Sequence, residues 1–166
     1  QTKTFRPFEK IVFEFLLEFS KNLIRDKECR KFSDLVALAF WCSTKNLKNL
    51  EKQNHKSQIR YGKGLLFHIT PSNVPTNFFY SLLFGLLSGN SNIVKVPSNN
   101  FMQINLICKV INKILKKQKF KFIKNTITII RYKDNSLNNI SKIISNNCDI
   151  RIIWGGDKTI NHLREF

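Results

Sequence analysis

The chain has 166 residues, 42% of them hydrophobic and 15 of them Phe, with 28 Lys and Arg against 11 Asp and Glu for a net charge of +17. That apolar content excludes a disordered tail and suffices for one real core. The positive excess could serve a polyanion site, but the lysines are scattered and no nucleic-acid motif accompanies them, which favours a solvated basic surface.

Residues 5–24 set Phe5, Phe8, Val12, Phe15, Leu16, Phe19 and Leu23 at helical spacing. Ser33 is placed to cap a second helix, on which Leu35, Leu38, Ala39 and Cys42 share a side. Residues 45–60 are polar and Lys-rich, and read as a solvated helix with a connector. The texture changes at Tyr61. GLLFHI at 64–69 has strand length, and Pro75 suits the first turn of a helix that stops at Gly89-Asn90. NIVKV at 92–96 is the next strand, closed by Pro97-Ser98. Over 100–117, Phe101, Ile104, Ile107, Cys108, Ile111, Ile114 and Leu115 form one helical face with lysines opposite. TITIIRY at 126–132 is a strand, 136–146 a short helix, and DIRIIW at 149–154 a last strand before Gly155-Gly156-Asp157 and a new helix.

Strands that alternate with helices from Tyr61 onward predict an α/β fold: a doubly wound parallel sheet covered on both faces. No Pro/Gly/Ser linker divides the chain. The expected organisation is a helical segment over 1–60 packing on an α/β domain over 61–166. The opening Gln and the unpunctuated close, NHLREF, lead to the expectation of a piece of a longer protein.

Cys29, Cys42, Cys108 and Cys148 form no CxxC, and His55, His68 and His162 have no metal-ligand spacing, so no metal is expected. The most apolar stretch, FFYSLLFGLL at 78–87, is too short to span a bilayer. A reduced, cytoplasmic setting is the default for such cysteines.

In an open α/β sheet the ligand lies beyond the carboxyl ends of the strands. Three such ends carry chemistry here. In TPSNVPT at 70–76, Pro71 and Pro75 stiffen the backbone around Asn73. A side-chain amide held still can stabilise a developing oxyanion; it can equally form an Asx-turn that caps the next helix. Lys95 leaves the end of an apolar strand, suited either to a ribose or phosphate or to a stem that snorkels. Gly155-Gly156 at a strand-to-helix junction lets backbone N–H groups approach an anion, or simply makes a tight turn, with Asp157 as a helix cap. GxGxxG and Walker A motifs are both absent from the sequence.

In order, these pieces resemble the aldehyde dehydrogenase superfamily: Pro71, Asn73 and Pro75, then Gly89-Asn90, then Lys95 and Pro97-Ser98. Ser-Asn-Val-Pro in the first turn and Trp-Gly-Gly-Asp at 154–157 are similar to one branch, the LuxC-type acyl-CoA (fatty-acyl-CoA) reductases. The resemblance implies a Rossmann-like domain that binds NADPH. It also implies a reaction in which a cysteine takes the acyl group from acyl-CoA, or from a partner acyl-transfer protein, and aldehyde is released. Asn73 then corresponds to the oxyanion donor, Lys95 and Ser98 to residues at the nucleotide ribose, and Gly155 and Gly156 to the turn at its phosphates. The family's nucleophilic cysteine belongs to a catalytic domain that the motifs here do not reach. None of the four cysteines is therefore expected to be the nucleophile, and this portion alone is expected to be inactive. Oligomers are usual for such enzymes. Two other readings stay open at this point: a non-catalytic nucleotide-binding remnant and a basic nucleic-acid-binding module.

Overall fold

A computed structural model describes residues 3–54, 59–133 and 140–164. Three helices open the chain: α1 (Lys10–Arg25), α2 (Ser33–Trp41) and α3 (Thr44–Asn54). Then come β1 (Leu65–Ile69), α4 (Asn77–Leu87), β2 (Ser91–Lys95), α5 (Met102–Leu115), a short α6 (Lys121–Lys124) and β3 (Ile127–Ile130). The chain continues through α7 (Ile140–Asn147), β4 (Ile150–Ile153) and α8 (Asp157–Arg164). Of the helix expected over 136–146, the first four positions lie outside the described residues.

The four strands form one sheet in the order β3-β2-β1-β4, every pair parallel. From β1 to β3 the chain steps in one direction across the sheet; β4 then returns to the free side of β1. Alternate residues separate the two faces. Val94, Ile127 and Ile129 join the core formed with α1 to α6, while Phe67, Ile69, Ile93, Ile130 and Ile153 pack with Ile144 of α7 and Leu163 of α8. The helices thus change face where the strand order changes direction, as crossovers of a single hand require. The sheet is doubly wound, as the sequence predicts.

The helical segment shares the larger core. Phe19 of α1 stacks on Phe79 of α4 with centroids 3.9 Å apart, and Phe15 meets Phe120 edge-on at 5.9 Å. Three local expectations need correction here. The first helix begins only at Lys10, so Phe5 and Phe8 precede it. Ser33 does not cap α2: Phe32 occupies that position with no side-chain cap bond, and Asp34 Oδ1 instead accepts from the Leu35 N–H. The Lys-rich α3 is less solvated than its composition implies, because Leu47 is fully buried under it.

Gly89 ends α4 by a left-handed turn with φ +83°. Its N–H reaches Leu86 O at 2.9 Å and the Asn90 N–H reaches Gly85 O at 3.1 Å, the paired bonds of a Schellman cap. Phe5 and Gly62 press against the same glycine, which leaves no room for a Cβ. This tight end delivers Asn90 and Asn92 into the start of β2.

Candidate functional site

The reversal of strand order lies between β1 and β4, the place where open α/β sheets take ligands, beyond the carboxyl ends. The turn after β1 carries Asn73, and the turn after β4 carries Gly155 and Gly156. The two turns leave neighbouring strands, since Ile69 pairs with Ile153 and the Trp154 N–H continues the ladder to Ile69 O at 2.9 Å. Lys95 ends β2 on the other side of β1, opposite Ile69. Ser98 follows in the loop from β2 toward α5.

Asn73 is exposed, and among the described residues its amide has no hydrogen-bond partner. Thr76 holds the cap position of α4 without a side-chain bond, and the turn closes through backbone alone, Asn77 N to Val74 O at 3.3 Å. The Asx-cap alternative is therefore absent, and the amide faces outward. Pro75 lies in this turn, two residues before α4, and not inside its first turn.

Lys95 is half-buried, its Nζ 4.5 Å from the centre of the Tyr132 ring. Thr70 Oγ1 donates to Lys95 O at 2.8 Å and so ties the ends of β1 and β2 together. Ser98 Oγ donates to Tyr132 O at 3.1 Å, joining the loops after β2 and β3. Gly155 and Gly156 are exposed, and Gly156 O accepts the first bond of α8, from Ile160 N at 3.1 Å. A Cβ added at Gly156 would meet nothing within 4 Å. The protein's own packing thus sets no demand for glycine there, and the surface above the turn is open to an incoming group. Asp157 is the first residue of α8, where a carboxylate complements the helix dipole.

A cavity of about 780 Å³ lies elsewhere, at the amino ends of β1 and β4, lined in part by Arg6, Tyr61, Lys63, Leu66 and Ile150. None of the five candidate residues lines it. The carboxyl ends of the strands are the chemically better site, because they gather the polar turns and a helix N-terminus.

The thiols are poor nucleophiles. Burial pushes Cys42 up to about 12 and Cys29 up to about 11, Asp26 adding to the rise at Cys29. Burial also raises Cys108 and Cys148. Cys148 sits at the amino end of β4, away from the carboxyl strand ends, its Sγ bonded to Ser145 O.

Sequence reasoning passes over His68, Ser81 and Asn92. His68 lies inside β1 with no exposed surface, its Nδ1 2.7 Å from Ser81 Oγ and its Nε2 2.9 Å from Asn92 Oδ1. Each of these polar residues interrupts an apolar element, which is the signal that marks them. Burial holds His68 neutral, down to about 4, against the opposing bond to Asn92.

The family model described as acyl-CoA reductase (LuxC) matches residues 13–166. No curated protein matches the chain, and no solved structure does. With the match running over nearly the whole sequence, the chain belongs to the acyl-CoA reductase (LuxC) family.

Proposed function

We propose that this chain is the cofactor-binding portion of an NADPH-dependent acyl-CoA reductase that makes aldehyde through a cysteine thioester, with residues 1–60 packed on a nucleotide-binding unit over 61–166. The observation that carries the reading is that an Asn73 amide without a hydrogen-bond partner among the described residues and the Gly155-Gly156 turn leave neighbouring strands at the reversal of strand order. Family membership supports the reaction class.

The fit to a dinucleotide rests on the open surface above Gly156 and on the N-terminus of α8, whose N–H groups suit a phosphate. Lys95 and Ser98 would hold the ribose side. NADPH, when bound, supplies hydride. The attacking thiolate is not one of the four cysteines, whose raised values keep them protonated at neutral pH. That thiolate adds to the thioester carbonyl and CoA leaves as its thiolate. The Asn73 N–H donates to the carbonyl oxygen as charge gathers on it, and the stiff backbone around it limits reorganisation. The acyl donor is acyl-CoA or a partner acyl-transfer protein. The reading places the enzyme in the cytoplasm as an oligomer, not bound to nucleic acid; among the described residues no helix is long and apolar enough to cross a membrane.

Asn73→Ala tests it. In the full-length enzyme the variant should lose on the order of 100-fold in turnover, because an oxyanion donor acts chiefly in the transition state. NADPH affinity should hardly change. Unchanged turnover in a folded variant would remove Asn73 from the chemistry.

A further inference from the structure

The polar side chains beneath α4 form one continuous run of hydrogen bonds. Trp154 Nε1–H donates to Ser81 Oγ at 2.9 Å, Ser81 meets His68 Nδ1, and His68 Nε2 meets Asn92 Oδ1. Asn92 Nδ2 then donates to Asn90 O at 2.7 Å. The direction of every proton follows from the two ends. An indole nitrogen is a donor only, so Ser81 accepts from Trp154 and has its own proton for His68 Nδ1. Asn92 turns its amide hydrogens toward Asn90, so its oxygen requires an N–H from His68 Nε2. One tautomer, Nε2–H, satisfies the whole run.

His68, Ser81 and Asn92 are buried to within 2% of completely, while Trp154 is 40% exposed. The run therefore begins in the core and surfaces at the residue directly before Gly155. Polar groups buried in an apolar face are a costly way to fill space. What they add, and apolar side chains would not, is the orientation of an indole directly before the Gly155-Gly156 turn.

We propose that His68 and Ser81 are positioning residues for the Gly155-Gly156 turn. They hold the Trp154 indole against α4, while the Trp154 backbone is held by Ile69 O. Ring and backbone together fix the direction in which the chain leaves β4, and so aim the turn's N–H groups at a dinucleotide phosphate. The inference rests on the cofactor-site reading given above.

Ser81→Ala and Trp154→Phe each delete the indole bond and leave most of the packing in place; Trp154→Phe acts at a partly exposed position and is the safer variant for folding. Two readouts apply to the full-length protein: the Trp154 indole N–H resonance by NMR, and the NADPH Kd by nucleotide fluorescence. Ser81→Ala should move the indole resonance and speed its exchange with water. Both variants should raise the Kd about three- to tenfold, the worth of one neutral hydrogen bond. A merely structural role lowers the melting temperature without moving the Kd. A wild-type Kd in either folded variant overturns the proposal. Gly156→Val tells the two ideas apart: if it weakens binding while the other two do not, only the positioning role is wrong. If all three bind as wild type, the cofactor site is wrong as well, and the positioning role falls with it.

Discussion

Acid should cost this protein stability at a pH where carboxylates are still ionised, and His68 is the cause. The imidazole has no exposed surface, and its hydrogen-bond partners, Ser81 and Asn92, do not titrate. Burial lowers its value from 6.5 to about 4. The unfolded chain takes up a proton near the ordinary value, whereas the folded chain resists until much lower pH. The stability that depends on neutral His68 is complete above 6.5 and is lost as pH falls toward about 4. The gap amounts to about 3 kcal/mol, of which about 2 kcal/mol is gone by about pH 5. Glu18, where Lys117 and Lys119 outweigh burial, and Asp26, bonded by the Cys29 N–H, are lowered and add their own losses only in stronger acid. Urea unfolding between about pH 7.5 and about pH 5 measures the slope in the wild type and in His68→Gln. The difference between the two isolates His68 from the other histidines. A flat wild-type profile, or equal slopes in both proteins, would refute the reasoning.

Gly89→Ala should destabilise the fold by at least ~1–2 kcal/mol from its left-handed backbone alone, with a further loss from overlap with the Phe5 carbonyl. A urea midpoint near wild type would contradict this. Changing Cys29, Cys42, Cys108 and Cys148 together to Ala in the full-length enzyme should leave a covalent acyl adduct detectable by mass spectrometry after incubation with acyl-CoA, since all four thiols are raised. An adduct that maps to any of the four in the wild type would refute their exclusion. Native-state alkylation of Cys42 at neutral pH should be slow, because its sulfur is buried.

The alternation of strands and helices after Tyr61 is legible because the elements carry apolar runs or periods, and β1, α4, β2 and β4 are each followed closely by Pro or Gly. Gly89 is the sharpest case: the Gly-Asn pair predicts the helix end, and the structure supplies the Schellman bonds. β1, β3 and β4 are shorter by one or two residues at an end than the stretches that predict them, since neighbours such as Trp154 keep the apolar character of the strand, and β2 is shifted by one residue, to Ser91–Lys95. Ser33 does not cap α2 because Asp34, one residue on, takes the Leu35 N–H. Leu47 and Leu50, three residues apart, are the only apolar positions of α3 and are outnumbered by its lysines and amides, yet Leu47 is buried in the core and Leu50 packs against it. For Asn73 the sequence left two roles open, and geometry removed the cap. His68, Ser81 and Asn92 lie far apart in sequence, and only the sheet register with α4 above it brings them together.

The central claim is that the dinucleotide lies beyond the carboxyl ends of β1 and β4. Hydrogen–deuterium exchange of the full-length enzyme, with and without saturating NADPH, tests it directly. The account predicts slowed exchange in the turn at 72–77 and most of all at 154–160, where Gly155, Gly156 and the first N–H groups of α8 would meet phosphate. Protection confined to the amino ends of the strands, around Lys63 and Ser91, or no protection in either turn at saturation, would contradict it.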